Sequence, residues 1–185
     1  MQLKKGDVID QLNLPSINGG SFDIKEINGK KTLLTFYRFA TCPFCNLRIY
    51  EMNKRFSELE NKLQIIAIFD APLNFLVQSM KKHDTSFTIL ADENFEYFKK
   101  YEVEKSTWKF LIGTTTGFFR FCRALSKGFV PIIMKGSIRT VPVDILINSN
   151  GKIEKVYYGK NTADHMSFEE IKDFSLNNSS QEFKG

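Results

Sequence analysis

Cys42 and Cys45 stand where an apolar run of strand-forming residues gives way to a helical pattern, and this junction constrains the fold more than any other feature. Leu33 to Phe39 favours a strand. Beyond the cysteines, Leu47, Met52, Phe56 and Leu59 recur at helical spacing, which predicts a helix from about 43 to 61. Both thiols therefore fall at a helix N-terminus, where unpaired N–H groups and the positive end of the helix dipole stabilise an anion. A cysteine there has a lowered pKa and a larger nucleophilic thiolate fraction. Pro43 suits the first helical turn, which needs no N–H from it. With two residues between them the cysteines can close a small disulfide, so the pair can cycle between dithiol and disulfide.

Two other uses of such a pair are half of a zinc site and a pair of inert buried thiols. Zinc needs two more ligands, and the rest of the chain offers Cys122, His83 and His165 without a second paired spacing. Three cysteines in 185 residues also argue against a secreted disulfide framework. The N-terminal residues carry charge without an apolar run behind it, and no stretch of eighteen apolar residues occurs. These features predict a soluble, cytoplasmic protein.

The length suits one domain over residues 1–176, with a polar tail at 177–185. Asn18-Gly19-Gly20-Ser21 predicts a hairpin turn near the N-terminus. After the strand at 31–39 and the helix with the cysteines, Leu63 to Phe69 reads as a buried parallel strand, and Pro72 opens a helix that runs to about His83. Phe87–Leu90 forms a short strand. Asn94–Tyr101 forms a short helix with Phe95, Phe98 and Tyr101 inward. Val143–Ile147 and Ile153–Tyr158 pair across Asn148-Ser149-Asn150-Gly151, and Ser167 caps a last helix. This order predicts a mixed central sheet with helices on both faces, an α/β/α arrangement. A C-x-x-C at the end of its first main strand points to a thioredoxin-like fold. Thr140-Val141-Pro142 directly precedes a strand, and we expect a cis Pro142 whose backbone neighbourhood pairs with an extended substrate beside the thiols.

Residues 3–175 resemble the peroxiredoxin-like branch of the AhpC/TSA superfamily. The resemblance is carried by Phe36-Tyr37-Arg38 through Cys45-Asn46-Leu47-Arg48, by Ile65–Phe69, and by Arg139-Thr140-Val141-Pro142-Val143-Asp144 with the strand that follows. It implies the thioredoxin-type fold and a thiol-based oxidoreductase activity. Against the family's P-x-x-x-T/S-x-x-C, Cys45 falls on the peroxidatic position, Cys42 replaces the hydroxyl residue and Arg38 replaces the proline. Arg139 is the candidate for the family's second active-site arginine. Against the thioredoxin W-C-G-P-C-K, Thr41 replaces the tryptophan and Asn46 the lysine. The buried acid of that family would fall at Thr35 or Phe36, and neither ionises.

The first cysteine of such a pair is usually the more exposed, which assigns Cys42 as attacking thiolate and Cys45 as resolving thiol. In the peroxidatic alternative, Cys45 becomes a sulfenic acid and Cys42 condenses with it. Arg38 lies on a strand that should be buried, so it needs the thiolate or a carboxylate as partner. Arg48 reads as solvated, His83 as a surface residue at a helix end, and Asp164-His165 as local loop structure.

The basic residues are unevenly spread. Lys105, Lys109, Arg120, Arg123, Lys127, Lys135 and Arg139 occur between 105 and 143 with no acid among them. This segment, about 105–139, predicts a helical insert, broken at Gly113–Gly117. Phe118, Phe121, Cys122, Leu125 and Phe129 should line its buried face, with Arg120, Arg123 and Lys127 opposite. The insert's readings are a solvated cap, a dock for an acidic partner, or transient contact with anionic membrane. Exposure of Phe129–Met134 would suggest a dimer or substrate surface. The expected function is a thiol-disulfide oxidoreductase without metal or bound organic cofactor. Its partners are an oxidised protein or small disulfide, or a peroxide, together with a cellular thiol reductant, with no specific nucleic acid and no stable membrane insertion. The alternatives are a thiol peroxidase and a redox-sensing interaction protein in which the disulfide reshapes the insert.

Overall fold

The computed structural model describes residues 2–27, 29–103, 105–131 and 136–177. Short turns with glycine and asparagine join its first two strands and its last two, and helices join most of the others. Asn13–Pro15 (β1) and Ser21–Asp23 (β2) close the expected hairpin, with Leu14 opposite Phe22. Lys31–Phe36 (β3), Leu63–Phe69 (β4), Thr88–Ala91 (β5), Val143–Ile147 (β6) and Ile153–Tyr158 (β7) build one sheet in the order β5-β4-β3-β6-β7. β3, β4 and β5 run parallel, whereas β6 is antiparallel to both β3 and β7. β3 lies at the centre, so the residues that follow it leave the middle of the sheet.

Strand alternation divides the core into two layers. Ile65, Ala67 and Phe69 of β4 face a cluster built with the helices Pro43–Lys54 (α1), Leu73–Met80 (α2) and Phe168–Leu176 (α6). Ile66 and Ile68 face the opposite cluster, with Leu12, Leu14 and Phe22 of the hairpin region and Phe98 of the helix Glu96–Lys100 (α3). The result is the expected three-layer mixed α/β fold of thioredoxin-like type. Ser167 caps α6 by accepting from the Glu170 N–H. α1 ends sooner than its periodicity predicts: it stops at Lys54, and a 3-10 turn at Phe56–Leu59 carries the remaining apolar residues. Glu60, next in line, adopts a left-handed backbone at φ 51°.

Between α3 and β6 the chain makes an excursion whose ends meet. Lys105 bridges Thr140, and the Ser106 N–H donates to the Arg139 carbonyl. The excursion contains Thr107–Thr116 (α4) and Phe118–Ser126 (α5), which break at Gly117 alone rather than across Gly113–Gly117. Both glycines serve close packing. A Cβ on Gly117 would lie 3.0 Å from the Phe44 ring, and one on Gly113 would lie 2.5 Å from the Thr162 hydroxyl.

The face of α5 that meets the protein differs from the expected one. Ala124 is buried and Phe121 half-buried, while Phe118, Cys122 and Leu125 point to solvent. Arg123 and Arg120 reach Glu51 of α1 at 3.2 and 3.8 Å, and Arg120 also donates to the Ala163 carbonyl. The small Ala124 and Gly117 permit close approach to α1, and Glu51 pairs with the two arginines at the edge of that face, where both side chains stay partly in solvent. Cys122 is therefore exposed, not a small buried hydrophobe. Phe129 is buried beside Leu47 and Ala124 and Val130 is exposed, while Ile132 to Lys135 and the tail 178–185 lie outside the described residues.

Local capping can be tested on α3. The buried Asp92 carboxylate accepts from the N–H groups of Glu96, Tyr97 and Phe98 at 2.9, 2.9 and 3.1 Å. We expect Asp92→Ala to cost about 2 kcal/mol in urea unfolding, because it removes the cap and leaves buried donors unpaired.

Candidate active site

β3 ends at Phe36, and the turn through Arg38, Phe39 and Ala40 delivers the chain to α1 under complete burial. Cys42 is the N-cap of α1: it stands in extended conformation, and its sulfur accepts from the Cys45 N–H at 3.5 Å. Pro43 is the first helical residue. Asn46, one residue past the second cysteine, donates its side-chain amide to the carbonyls of Ala40 and Cys42 at 2.8 and 2.9 Å. These bonds tie the turn to the helix and set where Cys42 points. The Asn46 side-chain oxygen meets His83 Nε2 at 2.8 Å.

Arg38 crosses this turn with only 2% of its surface exposed. One terminal nitrogen lies 2.9 Å from Cys42 Sγ, and the other donates to the Ile138 carbonyl at 3.0 Å. The guanidinium also sits 5.6 and 5.7 Å from the rings of Phe44 and Phe39. Burying a guanidinium is costly unless a counter-charge meets it, and the Cys42 sulfur is placed to supply one. Burial pushes the Cys42 thiol up, but the Cys45 thiol, the Arg38 charge and the N–H groups of Cys45 and Phe44 outweigh it and bring Cys42 down to about 6. Cys45 moves the other way, because burial and its donation to Cys42 both favour the protonated form. The contacts at the helix start therefore favour the thiolate at Cys42 and the thiol at Cys45.

Both sulfurs are fully buried, which differs from the expectation of an exposed Cys42. The cover is local: the Phe121 ring of α5 lies 6.1 Å from that of Phe44, and Arg38 and the Ile138 backbone close another side. Thr41 is half-buried. No cis peptide bond occurs among the described residues, so Pro142 follows a trans bond and not the expected cis one. The backbone around it is already paired, with Lys105 bridging Thr140 and the Gly159 N–H on the Pro142 carbonyl, which an ordinary trans bond satisfies. The backbone edge expected to receive an extended substrate is occupied at Arg139 and Thr140 by Lys105 and Ser106. Pro142 instead accepts from the Gly159 N–H at 2.9 Å. Arg139 is exposed, and its guanidinium reaches the Thr107 hydroxyl at 3.4 Å.

Four polar groups that sequence reasoning set aside or missed lie in the core around this centre. Arg48 is buried and donates to the Met166 carbonyl at 2.7 Å, so it is not solvated. His83 is half-buried, stacks on Phe129 at 5.3 Å, and is pushed down to about 4 by burial and by Lys82. His165, read as loop structure, sits buried with Nδ1 3.1 Å from Asp144 and its ring 5.2 Å from that of Tyr37. Asp144 also accepts from the Thr35 hydroxyl and from the Met166 N–H. Burial raises its carboxyl, but His165, Arg48 and Thr35 outweigh that and bring it to about 2. Asp144 is paired with Thr35 across β3 and β6, and its hydrogen-bond partners are Thr35, His165 and Met166 rather than either cysteine.

Asp70, just after β4, is a further buried acid. Its Oδ2 accepts from the Ser137 N–H and the Thr140 hydroxyl at 2.9 and 3.3 Å, while Oδ1 is buried without a hydrogen-bond partner. A Cβ on Gly136 would lie 2.2 Å from Oδ1, so this approach requires glycine, which stands there at φ +116°. Burial raises the Asp70 carboxyl to about 7 against Ser137, Thr140 and Lys105, and Cys42 adds to the rise. A carboxyl raised in the folded state loses stability as pH climbs from its unfolded value through about 7. Asp70→Asn should therefore gain stability relative to the parent between pH 5 and pH 8, by roughly 2 kcal/mol from the linkage relation. Denaturant titrations at the two pH values read this difference.

The AhpC/TSA family model matches residues 6–156. The chain is 25% identical over 166 residues to "Peroxiredoxin Bcp" of Escherichia coli strain K12, covering 88% of this chain and 90% of that protein. Among solved structures it is similar to "Peroxidoxin BcpB" from Mycobacterium tuberculosis, with a TM-score of 0.69 at 13% identity over 96% of this chain and 100% of that one. It is also similar to a putative thiol:disulfide interchange protein DsbE from Chlorobium tepidum, with a TM-score of 0.58 at 18% identity over 84% and 86%. The chain belongs to the AhpC/TSA family of thioredoxin-fold thiol oxidoreductases.

Proposed function

We propose that the protein is a thiol-disulfide oxidoreductase in which Cys42 attacks and Cys45 resolves. The observation that carries this reading is the Arg38 guanidinium 2.9 Å from Cys42 Sγ, a contact that favours the thiolate on Cys42, whereas burial and donation to Cys42 hold Cys45 in the protonated form although Arg38 acts on it as well. The Cys42 thiolate attacks one sulfur of a substrate disulfide and expels the other as a thiolate. Cys45 then gives up its proton and displaces the bound sulfur, which leaves the substrate fully reduced and a Cys42–Cys45 disulfide behind. An external thiol reductant regenerates the dithiol. The burial of both sulfurs means that the Phe121 and Ile138 cover must part for a protein disulfide to reach Cys42.

A second reading is a thiol peroxidase, supported by the peroxiredoxin name of the Escherichia coli relative. In it a thiolate attacks a peroxide oxygen to give a sulfenic acid and an alcohol or water, and the second cysteine condenses with loss of water. The family position of the reacting thiol is Cys45, whereas the charge at this centre falls on Cys42.

Stopped-flow reactions of the reduced protein with a model protein disulfide and with hydrogen peroxide separate the two. We expect Cys45→Ser to accumulate a mixed disulfide on Cys42, and Cys42→Ser to lose disulfide exchange by about a hundredfold or more, as for removal of an attacking thiolate. Fast peroxide oxidation that survives Cys42→Ser, with a sulfenic acid on Cys45, would overturn the assignment.

A further inference from the structure

The sequence of α5 interleaves aromatic and basic residues with no acid, and the fold leaves much of its apolar content in water. Trp108 on α4 is 74% exposed, and Phe118 and Phe119 on α5 are 59% and 86% exposed. Leu125 and Val130 extend this exposed apolar surface toward the end of α5. An aromatic side chain that stays in water forgoes about 1.5–3 kcal/mol of burial, so a group of them marks a surface built to be covered. The inner face of the same helix lies over Phe44 at the thiol centre, which makes the outer face a separate surface.

Charge selects what covers it. No acidic residue occurs from 105 to 143, against seven basic ones. Arg123 follows Phe119 by one helical turn with most of its side chain in solvent, although Glu51 lies 3.2 Å away, and Lys127 stands exposed at the end of α5 over the Tyr50 ring. The cavity between α1 and α5, about 380 Å³, continues this character: Arg48, Lys54, Arg55, Arg123 and Lys127 line it, and Glu51 is the one acid among its lining residues. Two copies of this face would bring like charges together. An anionic lipid surface offers both complements at once, headgroups for the cations and an interfacial layer for Trp and Phe.

We propose that the α4–α5 face docks the protein reversibly on anionic lipid membranes, with Trp108, Phe118 and Phe119 entering the interface and the basic residues of α5 meeting the headgroups. No described helix is long and apolar enough to cross a membrane, so the contact is peripheral.

The chain holds one tryptophan, and it is exposed on α4, so its fluorescence reports a contact made by that helix. The full-length reduced protein is mixed with vesicles of phosphatidylglycerol or of phosphatidylcholine alone. We expect Trp108 emission to move to shorter wavelength and to lose acrylamide quenching with the anionic vesicles only. The response should vanish at about 0.5 M salt, where the Debye length falls to roughly 4 Å. The double variant Phe118→Ser with Phe119→Ser should weaken vesicle co-sedimentation about tenfold or more. Its thiol exchange and unfolding midpoint without vesicles should match the parent, which separates a lost contact from a lost fold. Lys127→Gln should weaken co-sedimentation and make it less dependent on salt. The proposal is overturned by no response to anionic vesicles at low salt, or by an equal response to zwitterionic ones. It is also overturned by protein-concentration-dependent burial of Trp108 without lipid, which assigns the face to a second copy, or by salt-sensitive binding of poly-glutamate without any vesicle response, which assigns it to an acidic protein.

Discussion

A guanidinium sealed from water beside a sulfur organises the whole centre. Arg38 has no solvent to share its charge with, so its position depends on negative charge at Cys42 and on the Ile138 carbonyl, while its Nε stays buried without a hydrogen-bond partner. The two burials answer each other: the cation makes the thiolate cheap, and the thiolate makes the cation cheap. A disulfide between Cys42 and Cys45 would remove that counter-charge.

The rest of the fold positions this contact. β3 is the central strand, so its end leaves the sheet between neighbours on both sides, and α1 begins there with Cys42 as its cap. Asn46 fixes the turn from the helix side, and the excursion between α3 and β6 fixes the cover from the other. Below, the Asp144, His165 and Arg48 group binds β6, the 162–166 loop and α1 into one buried polar layer. Removing one member of such a layer leaves the others buried and unsatisfied, which explains why a largely apolar core keeps it.

The strands, the hairpins and the strand–turn–helix around the cysteines were legible because alternation, turn residues and a cap are local signals. Leu63–Phe69 has the same bounds in the sequence and in the structure, and Ser167 caps the helix it was expected to cap. The polar partners were not legible, because they join residues of different elements, from 21 positions apart for Asp144 and His165 to 118 for Arg48 and Met166. For α5 the pattern misled. Its most apolar stripe reads as the inner one, but the buried face is decided by what faces it, and the small Ala124 and Gly117 with Glu51 opposite set the orientation found. The same rotation that exposes Cys122 exposes Phe118 and Leu125.

The most direct measurement is the pH dependence of Cys42 alkylation by iodoacetamide, followed by mass spectrometry in the reduced parent and in Arg38→Met. The Arg38 contact predicts a parent rate that rises through an inflection at about 6 and levels above it. In the variant the inflection should move up by at least about one pH unit, the shift expected when a buried opposite charge is lost. An unchanged profile in Arg38→Met, or a parent inflection at the ordinary thiol value of about 8.5, would contradict the account.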